Sequence, residues 1–326
     1  MNAIVVGAGM IGKERIKVLN KLGVNVLCIV DPTKPEKYEY KPVCPSTWAD
    51  SIEHCWEIDH ADWVFVCTPH DETIEIVRWA LKNKCNVLAE KPLGRTIDEF
   101  NSIFTYVPNK GKVCNVGFNY RFYKGVRQLL IDCQNKLFGD LISVNMVLGL
   151  SNAPGTEKTW RLDPEKAGSG SIIYAGIHLI DIAMLIGNGD LIKMGFATSG
   201  RFWKTGIEEE MHILAKDKNN TIYNIQSSVD RWRSTFRIEV NGTEGYGIVE
   251  GRNKHYGPQT YIRGKKWGWQ SGKSQRESEE IVVSGYDGED SFYEETKAVL
   301  FGCNDYPLPA THIDNLNALK FIENGT

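Results

Sequence analysis

Three polar residues interrupt one of the most apolar stretches of the sequence. Residues 172 to 186 are almost entirely hydrophobic apart from Tyr174, His178 and Asp181. In a buried helix, this spacing would place all three on one stripe of the surface. Such a stripe needs polar partners, which can be a ligand in a cleft or simply neighbouring protein groups. Histidine titrates near neutral pH and suits proton transfer to or from a substrate hydroxyl, and Asp181 could orient or charge-stabilise it.

Lys91 is a second candidate for proton transfer. It follows a strand-like run over residues 86 to 89 and lies between Glu90 and Pro92. A positively charged ligand group nearby would lower the pKa of this lysine and make it a proton donor and acceptor near neutral pH. A solvated lysine in a surface loop is the alternative that the position alone leaves open.

The element that must position this chemistry begins at the start of the chain. The apolar residues 3 to 6 predict a buried strand, and residues 13 to 22 have helical spacing. Between them lies a GxGxxG turn, in which glycine permits a sharp turn, close approach of a pyrophosphate and close packing of the helix. The helix N-terminus would supply free N–H groups to the phosphates. The cofactor-binding residues predicted in this turn are Gly7, Gly9, Met10, Ile11 and Gly12.

The next predicted strand, over residues 24 to 30, ends at Asp31. A carboxylate at this distance from the glycines would accept hydrogen bonds from the adenosine ribose and repel a 2′-phosphate, which favours NAD over NADP. Lys34 could reach a 2′-phosphate, so NADP stays possible. Thr68 and Pro69 end the strand over residues 63 to 67, at the sheet edge where ligands bind in open α/β folds.

Strands and helices alternate through the first third of the chain, which predicts a doubly wound parallel sheet. A helix is expected over residues 46 to 55, and Thr96 begins another that ends near residue 106. After residue 122 we expect a helix over 123 to 137, a strand over 141 to 150 and then hairpins, with one turn at Asn241 and Gly242. Residues 253 to 278 indicate only loop or irregular edge strands, and two helices over 291 to 301 and 312 to 323 close the chain. We therefore divide the sequence into domains of residues 1–118 and 119–326.

The composition is ordinary for a globular protein, with 42% hydrophobic residues, 24% charged residues and a net charge of -3. Nothing in it indicates binding to nucleic acid or to an anionic membrane. A first strand at residue 3 leaves no room for a signal peptide, and we find no membrane-spanning run of 18 apolar residues, so a cytoplasmic location is expected. The eight cysteines include no CxxC pair. We expect free, reduced, buried thiols, without disulfides or a metal site.

Six motifs together resemble the glucose-fructose oxidoreductase/inositol dehydrogenase (Gfo/Idh/MocA) family. They are Gly7-Ala8-Gly9-Met10-Ile11-Gly12, Thr68-Pro69, Glu90-Lys91-Pro92-Leu93, Gly117-Phe118-Asn119-Tyr120-Arg121-Phe122, Trp160-Arg161, and residues 168–181. The resemblance implies an N-terminal Rossmann domain and a C-terminal α+β domain whose large, open, mostly antiparallel sheet mediates homodimers or homotetramers. It also implies hydride transfer between NAD(P) and a carbinol or keto carbon of a sugar, sugar nucleotide or cyclitol.

The resemblance also assigns site residues. Lys91 and His178 match the family's catalytic lysine and histidine. Tyr174 is counted with them as catalytic, although it stands where members that oxidise cyclitols often carry an aspartate. The cofactor residues beyond the glycine turn are Asp31, Thr68, Pro69, Glu90, Lys91 and Asn119. The substrate residues are Lys91, Arg121, Trp160, Arg161, Tyr174, His178 and Asp181.

Two alternative functions remain open from the sequence. The chain could be a regulatory protein that senses a dinucleotide or sugar without turnover, or an enzyme that reduces an unrelated carbonyl or imine. Arg161 and the cluster Arg231-Trp232-Arg233 would suit a phosphorylated or nucleotide-linked sugar, but these arginines could equally pair with surface carboxylates.

Overall fold

The computed structural model describes residues 1–33, 47–104, 113–265, 267, 274, 279–286, 291–303 and 305–324. The chain forms two compact units. The first unit contains Met1–Phe118, Phe292–Cys303 and Leu308–Leu316, and the second contains Asn119–Ser291, Asn304–Pro307 and Asn317–Thr326. The division drawn from the sequence differs here, because it placed everything after residue 118 in the second domain.

The N-terminal part of the first unit is a parallel sheet with helices. Its strands and helices are β1 (Asn2–Val6), α1 (Met10–Lys21), β2 (Asn25–Val30), β3 (Thr47–Ala49), β4 (Trp63–Val66), α2 (His70–Lys82), β5 (Asn86–Glu90), α3 (Ile97–Phe104) and β6 (Cys114–Gly117). The six strands lie in the order β3-β2-β1-β4-β5-β6, and every pairing is parallel. This confirms the predicted doubly wound sheet. Its core is an apolar cluster that includes Val5, Ile16, Leu19, Ile29, Phe65 and Leu88.

The prediction of a helix over residues 46 to 55 is wrong. Thr47–Ala49 is instead the edge strand β3, paired with β2, and two short 3-10 turns follow over Ile52–His54 and Trp56–His60. Trp48 fixes this edge by donating from Nε1 to the carbonyl oxygen of Asp31 at 2.9 Å. A strand of three residues has no hydrophobic periodicity to reveal it, since alternation needs a longer run.

The remaining elements supply the second unit and the C-terminal helices. They are α4 (Lys124–Gln134), β7 (Leu141–Gly149), α5 (Pro164–Ala167), α6 (Ile177–Ile186), β8 (Leu191–Ser199), β9 (Glu210–Asp217), β10 (Ile222–Ser228), β11 (Thr235–Gly242), β12 (Gly245–Glu250), β13 (Gln259–Lys265), β14 (Glu280–Tyr286), α7 (Ser291–Phe301) and α8 (His312–Glu323). The eight strands lie in the order β14-β13-β12-β11-β7-β10-β9-β8. All pairs are antiparallel except β7 with β10, which confirms a mostly antiparallel sheet.

Two details of this sheet differ from the sequence predictions. The β11–β12 hairpin exists, but Asn241 and Gly242 belong to β11 and not to its turn. Gly242 is needed because a Cβ there would lie 2.1 Å from the carbonyl oxygen of Phe138. Within residues 253 to 278, Gln259–Lys265 forms the regular strand β13, where only loop or irregular edge strands were expected.

One helical stretch among the described residues, Pro164–Ile186, is long and apolar enough to cross a membrane, although the sequence indicated none. Its most apolar window is 78% buried inside the protein, as is typical of a core helix. The cytoplasmic location stays a prediction.

Candidate active site

The turn between β1 and α1, residues 7 to 12, is called the glycine loop below. Gly7 has a φ of +89°, and a Cβ there would lie 2.7 Å from the backbone carbonyl of Cys67. At Gly12 a Cβ would lie 1.9 Å from the carbonyl oxygen of Gly7. Both glycines are therefore required by the fold itself, since neither backbone neighbour can move aside cheaply.

Gly9 is different, because a Cβ there would meet no described atom within 4 Å. It is also the N-cap of α1 and offers no side chain to the helix N-terminus. Its side-chain position thus opens onto space where a phosphate group can reach the free N–H groups of the first helical turn. Met10 lies in that turn with 65% of its surface exposed, and Ile11 beside it is half-buried.

Thr68 provides an independent sign of a ligand. It follows β4 beside the glycine loop, since its backbone nitrogen lies 3.0 Å from the Cβ position of Gly7. Its hydroxyl is buried without a hydrogen-bond partner among the described residues. A buried hydroxyl without a partner is unfavourable, and a bound dinucleotide would supply one. Pro69, the next residue, is the N-cap of α2.

The side chain of Asp31 is hydrogen-bonded to the glycine loop. Its Oδ2 accepts a hydrogen bond from the Ala8 nitrogen at 2.7 Å, and its Oδ1 accepts one from the Thr33 nitrogen at 2.8 Å. The carboxylate is thereby fixed next to the glycine loop, and each oxygen keeps capacity to accept a ribose hydroxyl. Lys34 lies outside the described residues.

The segment around Lys91 is anchored on both sides within the first unit. The buried guanidinium of Arg15 donates from Nε and Nη2 to Oε1 of Glu90, at 3.0 and 2.7 Å. Arg15 also donates to Glu295 on α7, at 2.6 Å. Leu93, two residues after Lys91, exchanges two hydrogen bonds with the side chain of Asn315. Glu90 thus fixes this segment by binding Arg15. The sequence analysis predicted only a cofactor-binding role for Glu90 and did not predict this contact.

In the second unit, the segment that carries Tyr174 departs from an α-helix. Residues Ile172–Gly176 form a π-helical turn, and the regular helix α6 begins only at Ile177. Such single π turns occur frequently at functional sites. The regular stripe expected for Tyr174, His178 and Asp181 is therefore interrupted after its first member. No pattern of apolar residues distinguishes the two kinds of turn, so the sequence could not reveal this.

His178 lies against a set of residues that we call the aromatic–arginine cluster: Tyr120, Tyr123, Arg252 and Tyr256. The imidazole stacks on the Tyr120 ring, with centroids 3.9 Å apart and planes 6° from parallel. The Arg252 guanidinium lies 5.1 Å from the Tyr120 ring and 3.9 Å from the Tyr256 ring. It also donates to the Tyr123 hydroxyl at 3.1 Å.

Two polar atoms of this cluster, Nε of Arg252 and the hydroxyl of Tyr256, are buried and lack a hydrogen-bond partner in the described part of the chain. They are therefore candidates to bind oxygen atoms of a substrate. Sequence analysis singled out none of the four residues of this cluster as a site residue. The one available signal was the run Asn119-Tyr120-Arg121 beside a predicted site, which pointed to its neighbours and not to Tyr120.

Tyr174 is electrostatically coupled to the same region. Burial raises its pKa above the ordinary value, and the nearby positive charges of Arg161 and Arg252 act in the opposite direction. The phenol therefore stays protonated at neutral pH and can donate a hydrogen bond. The guanidinium of Arg161 lies 5.0 Å from the ring of Trp160, so these two predicted substrate residues are adjacent.

Arg121 and Asp181, both predicted to bind substrate, bind each other. Nε and Nη2 of Arg121 donate to the two carboxylate oxygens of Asp181, at 2.7 and 2.5 Å, and both side chains are buried. That Asp181 orients His178 stays a prediction. Asn119 donates to the Ser291 hydroxyl at 2.7 Å within the second unit. Lys91 belongs to the first unit and the other two predicted catalytic residues to the second.

Comparison with known proteins identifies the family. Residues 1–118 match the description "Oxidoreductase family, NAD-binding Rossmann fold", and residues 126–247 match "GFO/IDH/MocA C-terminal domain". The chain belongs to the Gfo/Idh/MocA family. This confirms the resemblance drawn from the motifs, and it identifies residues 1–118 of this Gfo/Idh/MocA protein as an NAD-binding Rossmann domain.

Individual relatives of this Gfo/Idh/MocA protein are distant. It is 29% identical over 151 residues to D-glucoside 3-dehydrogenase of Escherichia coli (strain K12), a match that covers 45% of this chain and spans only 41% of that protein. It is 25% identical to glucose-6-phosphate 3-dehydrogenase of Bacillus subtilis (strain 168), covering 76% of this chain and 77% of that protein. The aldose-aldose oxidoreductase from Caulobacter crescentus, crystallised with glycerol, has the same fold, with a TM-score of 0.80 at 17% identity over 99% of this chain and 95% of that one.

Proposed function

We propose that this protein is an NAD(P)-dependent oxidoreductase that transfers hydride between the nicotinamide and a carbinol or keto carbon of a sugar, sugar nucleotide or cyclitol. The observation that carries the proposal is the pair of family matches, one to the NAD-binding domain and one to the C-terminal domain. The fit of the glycine loop to a dinucleotide supports it, since Gly9 leaves room for a phosphate and the Thr68 hydroxyl has no hydrogen-bond partner within the described ranges.

The cofactor, when bound, accepts or donates the hydride. We propose that Gly7, Gly9, Met10, Ile11 and Gly12 bind its pyrophosphate, with Thr68 and Pro69 beside them. We further propose that Asp31 binds the adenosine ribose and favours NAD over NADP. The support for this preference is the fixed position of the Asp31 carboxylate at the glycine loop, where it would repel a 2′-phosphate.

We assign proton transfer to Lys91 and His178, because the motifs that contain them resemble those that carry the family's catalytic lysine and histidine. In oxidation they would take the proton of the substrate hydroxyl, and in reduction they would return it. Tyr174 would hold a substrate oxygen as a neutral hydrogen-bond donor, consistent with its raised pKa. Arg161 with Trp160, and Arg252 with Tyr256, offer charge beside an aromatic ring, an arrangement suited to a polar sugar ring.

The sugar class is supported by the relatives, two of which are named as dehydrogenases of a glucoside and of glucose 6-phosphate. The positive charges of Arg161 and Arg252 would also accommodate a phosphate on the substrate. A homodimer or homotetramer is proposed for the assembly. It is supported by the outward face of the large sheet, where Ile192, Leu214 and Ile222 are 45–56% exposed.

The test begins with purified protein titrated with NADH and with NADPH, followed by fluorescence. Sugars, sugar phosphates, sugar nucleotides and inositols are then screened for a change of nicotinamide absorbance. We expect turnover with at least one substrate, and Lys91→Ala should lower kcat by about 100-fold or more while NADH still binds. Lys297→Ala, which removes an exposed lysine on α7, is the matched control and should retain activity.

Tight dinucleotide binding without turnover on any compound would overturn the proposed activity and favour the regulatory alternative. Failure to bind either dinucleotide would overturn the cofactor assignment as well. Equal loss of activity in Lys91→Ala and Lys297→Ala would remove the catalytic role assigned to Lys91.

A further inference from the structure

Two buried cysteines and a glutamate lie together beside the edge strand of the first unit's sheet. Cys28 is on β2, whereas Cys55 lies between the two 3-10 turns that follow β3, and Glu57 lies in the second of these turns. The two cysteines are 0% and 3% exposed, and Glu57 is half-buried. The two sulfur atoms and a carboxylate oxygen all lie within 4.8 Å of one another. The fold thus brings Cys28 next to Cys55 and Glu57, two residues that are neighbours in sequence but distant from Cys28.

The spacing of these atoms is close to that of a tetrahedral metal site. With Zn–S bonds of about 2.3 Å and Zn–O bonds of about 2.0–2.2 Å, neighbouring ligand atoms are about 3.5–3.8 Å apart. The Cys55 sulfur lies 3.9 Å from Oε2 of Glu57. Small rotations of the three side chains would bring their ligand atoms to three corners of a tetrahedron.

The charges of the cluster also favour a cation. The Glu57 carboxylate lies close to both cysteine sulfurs, so its negative charge would oppose a thiolate at either of them. A divalent cation would turn this repulsion into attraction, because thiolate and carboxylate would then share one positive centre.

The glutamate is already held in position by an outer partner. Oε1 of Glu57 accepts a hydrogen bond from the Thr47 hydroxyl on β3, which leaves Oε2 facing Cys55. Carboxylate ligands of metals are typically oriented in this way by a second hydrogen-bonded group. A simple pair of packed thiols would need neither the carboxylate nor its partner.

We propose that Cys28, Cys55 and Glu57 form a three-ligand site for a thiophilic divalent cation such as Zn²⁺, with water in the fourth position. The bound ion would tie β2 to the turns that follow the edge strand β3 and stabilise this end of the sheet. Sequence analysis expected inert thiols and no metal, since no motif signals ligands at positions 28, 55 and 57. The site is independent of the proposed oxidoreductase activity.

The test uses the full chain, reduced and treated with a chelator. Zn²⁺ alone is titrated in competition with a chromogenic indicator, and native mass spectrometry counts the bound ions. We expect one ion per chain and a higher Tm when zinc is present. Loss of an outer-shell partner typically weakens metal binding by about 10- to 100-fold, and we expect Cys28→Ser and Cys55→Ser each to weaken zinc binding by more than this. Cys133→Ser, in the second unit, removes a thiol outside the cluster and should leave zinc binding unchanged.

Glu57→Gln keeps both thiols and changes only a half-buried side chain. It is the test variant to use if the cysteine variants fail to fold. Cooperative thermal unfolding without zinc checks that each variant is folded, and we expect zinc affinity in Glu57→Gln to fall by at least about 10-fold. The proposal is overturned if the folded, reduced chain binds no zinc, or if all variants bind it equally. A Cys28–Cys55 disulfide in the isolated protein, with no zinc uptake after reduction, would also overturn it and identify a redox pair.

Discussion

The glycine loop and the aromatic–arginine cluster are built from different parts of the polypeptide. In the loop the decisive contacts are between backbone atoms, as at Gly12, where a Cβ would lie 1.9 Å from the Gly7 oxygen. In the cluster the decisive contacts are between side chains from separate elements, as where His178 stacks on Tyr120. The first arrangement restricts residue type at adjacent positions, whereas the second depends on how distant segments pack.

The two regions are nevertheless alike in one respect, because a buried arginine pairs with a carboxylate near each of them. Arg15 holds Glu90, one residue before Lys91, and Arg121 holds Asp181, three residues after His178. Each guanidinium therefore supports a segment that carries a proposed catalytic residue, although neither arginine was singled out for this role in the sequence. Four tests by substitution show whether backbone contacts or side-chain contacts determine the stability and ligand binding of each region.

The largest effect is expected from Arg121→Met. Loss of the guanidinium would leave the Asp181 carboxylate buried without its partner, and we expect the free energy of unfolding to fall by about 3–5 kcal/mol. Urea denaturation followed by intrinsic fluorescence measures it. The double variant Arg121→Met/Asp181→Leu removes both charges and should recover most of the loss. A double variant as unstable as the single one would show that the charge pair is not what stabilises this region.

Gly12→Ala and Gly9→Ala form the next test. Because the new Cβ of Gly12→Ala collides with backbone, we expect it to lower the unfolding free energy by about 3 kcal/mol. Gly9→Ala points into open space and should change stability by less than about 1 kcal/mol. It should nevertheless weaken NADH binding, since its methyl group occupies the approach of the pyrophosphate. Equal destabilisation by the two, measured by thermal unfolding without cofactor, would contradict the distinction between fold glycines and a ligand glycine.

The regularity of the first unit explains why so much of it was predictable. Strands and helices alternate with clear hydrophobic periodicity, and the glycine loop restricts residue type within six consecutive positions. The C-terminal helices were also predicted with the observed bounds, Ser291–Phe301 and His312–Glu323. The unit to which these helices belong was not predicted. Residues 292 to 301 of α7 lie in the first unit, where Glu295 binds Arg15, 280 residues away in sequence.

The second unit shows what sequence patterns leave out. Arg252 follows β12 in a polar segment and carries no local signal, yet it meets Tyr120 and Tyr256. The π-helical turn at Ile172–Gly176 has the same apolar composition that an α-helix would have, so its effect on Tyr174 is visible only in the backbone. The predicted residue types were informative, but their partners depended on tertiary packing.

Arg252→Met tests whether the aromatic–arginine cluster binds substrate. Loss of a charged hydrogen-bond donor should weaken substrate binding by about 1.5–3 kcal/mol, so we expect KM to rise by roughly 10- to 100-fold. NADH affinity should be unchanged, because the predicted pyrophosphate-binding residues lie in the first unit. Arg201→Met, which removes an exposed arginine of the second unit, is the matched control. An unchanged KM in a folded Arg252→Met variant would remove the cluster from the substrate site.

The smallest effect is expected from Tyr174→Phe, and its value lies in the pH profile. If Tyr174 only donates a hydrogen bond, its removal should lower kcat by about 10-fold, the equivalent of about 1.4 kcal/mol. Because burial raises the pKa of Tyr174 above its usual value of 10.0, the phenol stays protonated throughout the neutral and mildly alkaline range. The apparent pKa values of the kcat profile between pH 6 and about 9 should therefore be the same in both proteins.

The raised pKa of Tyr174 also determines how this residue affects stability at alkaline pH. A raised native pKa means that the unfolded chain ionises first, so the stabilisation by Tyr174 is complete below about pH 10 and is lost as pH rises through the native pKa. Tyr174→Phe should consequently reduce the loss of Tm on going to strongly alkaline buffer, relative to the unmodified chain. An alkaline limb of the kcat profile that disappears in Tyr174→Phe would instead make Tyr174 a titrating acid–base group. In that case the side chains of the second unit would transfer protons as well as position the substrate. The glycine loop, by contrast, would only position the cofactor.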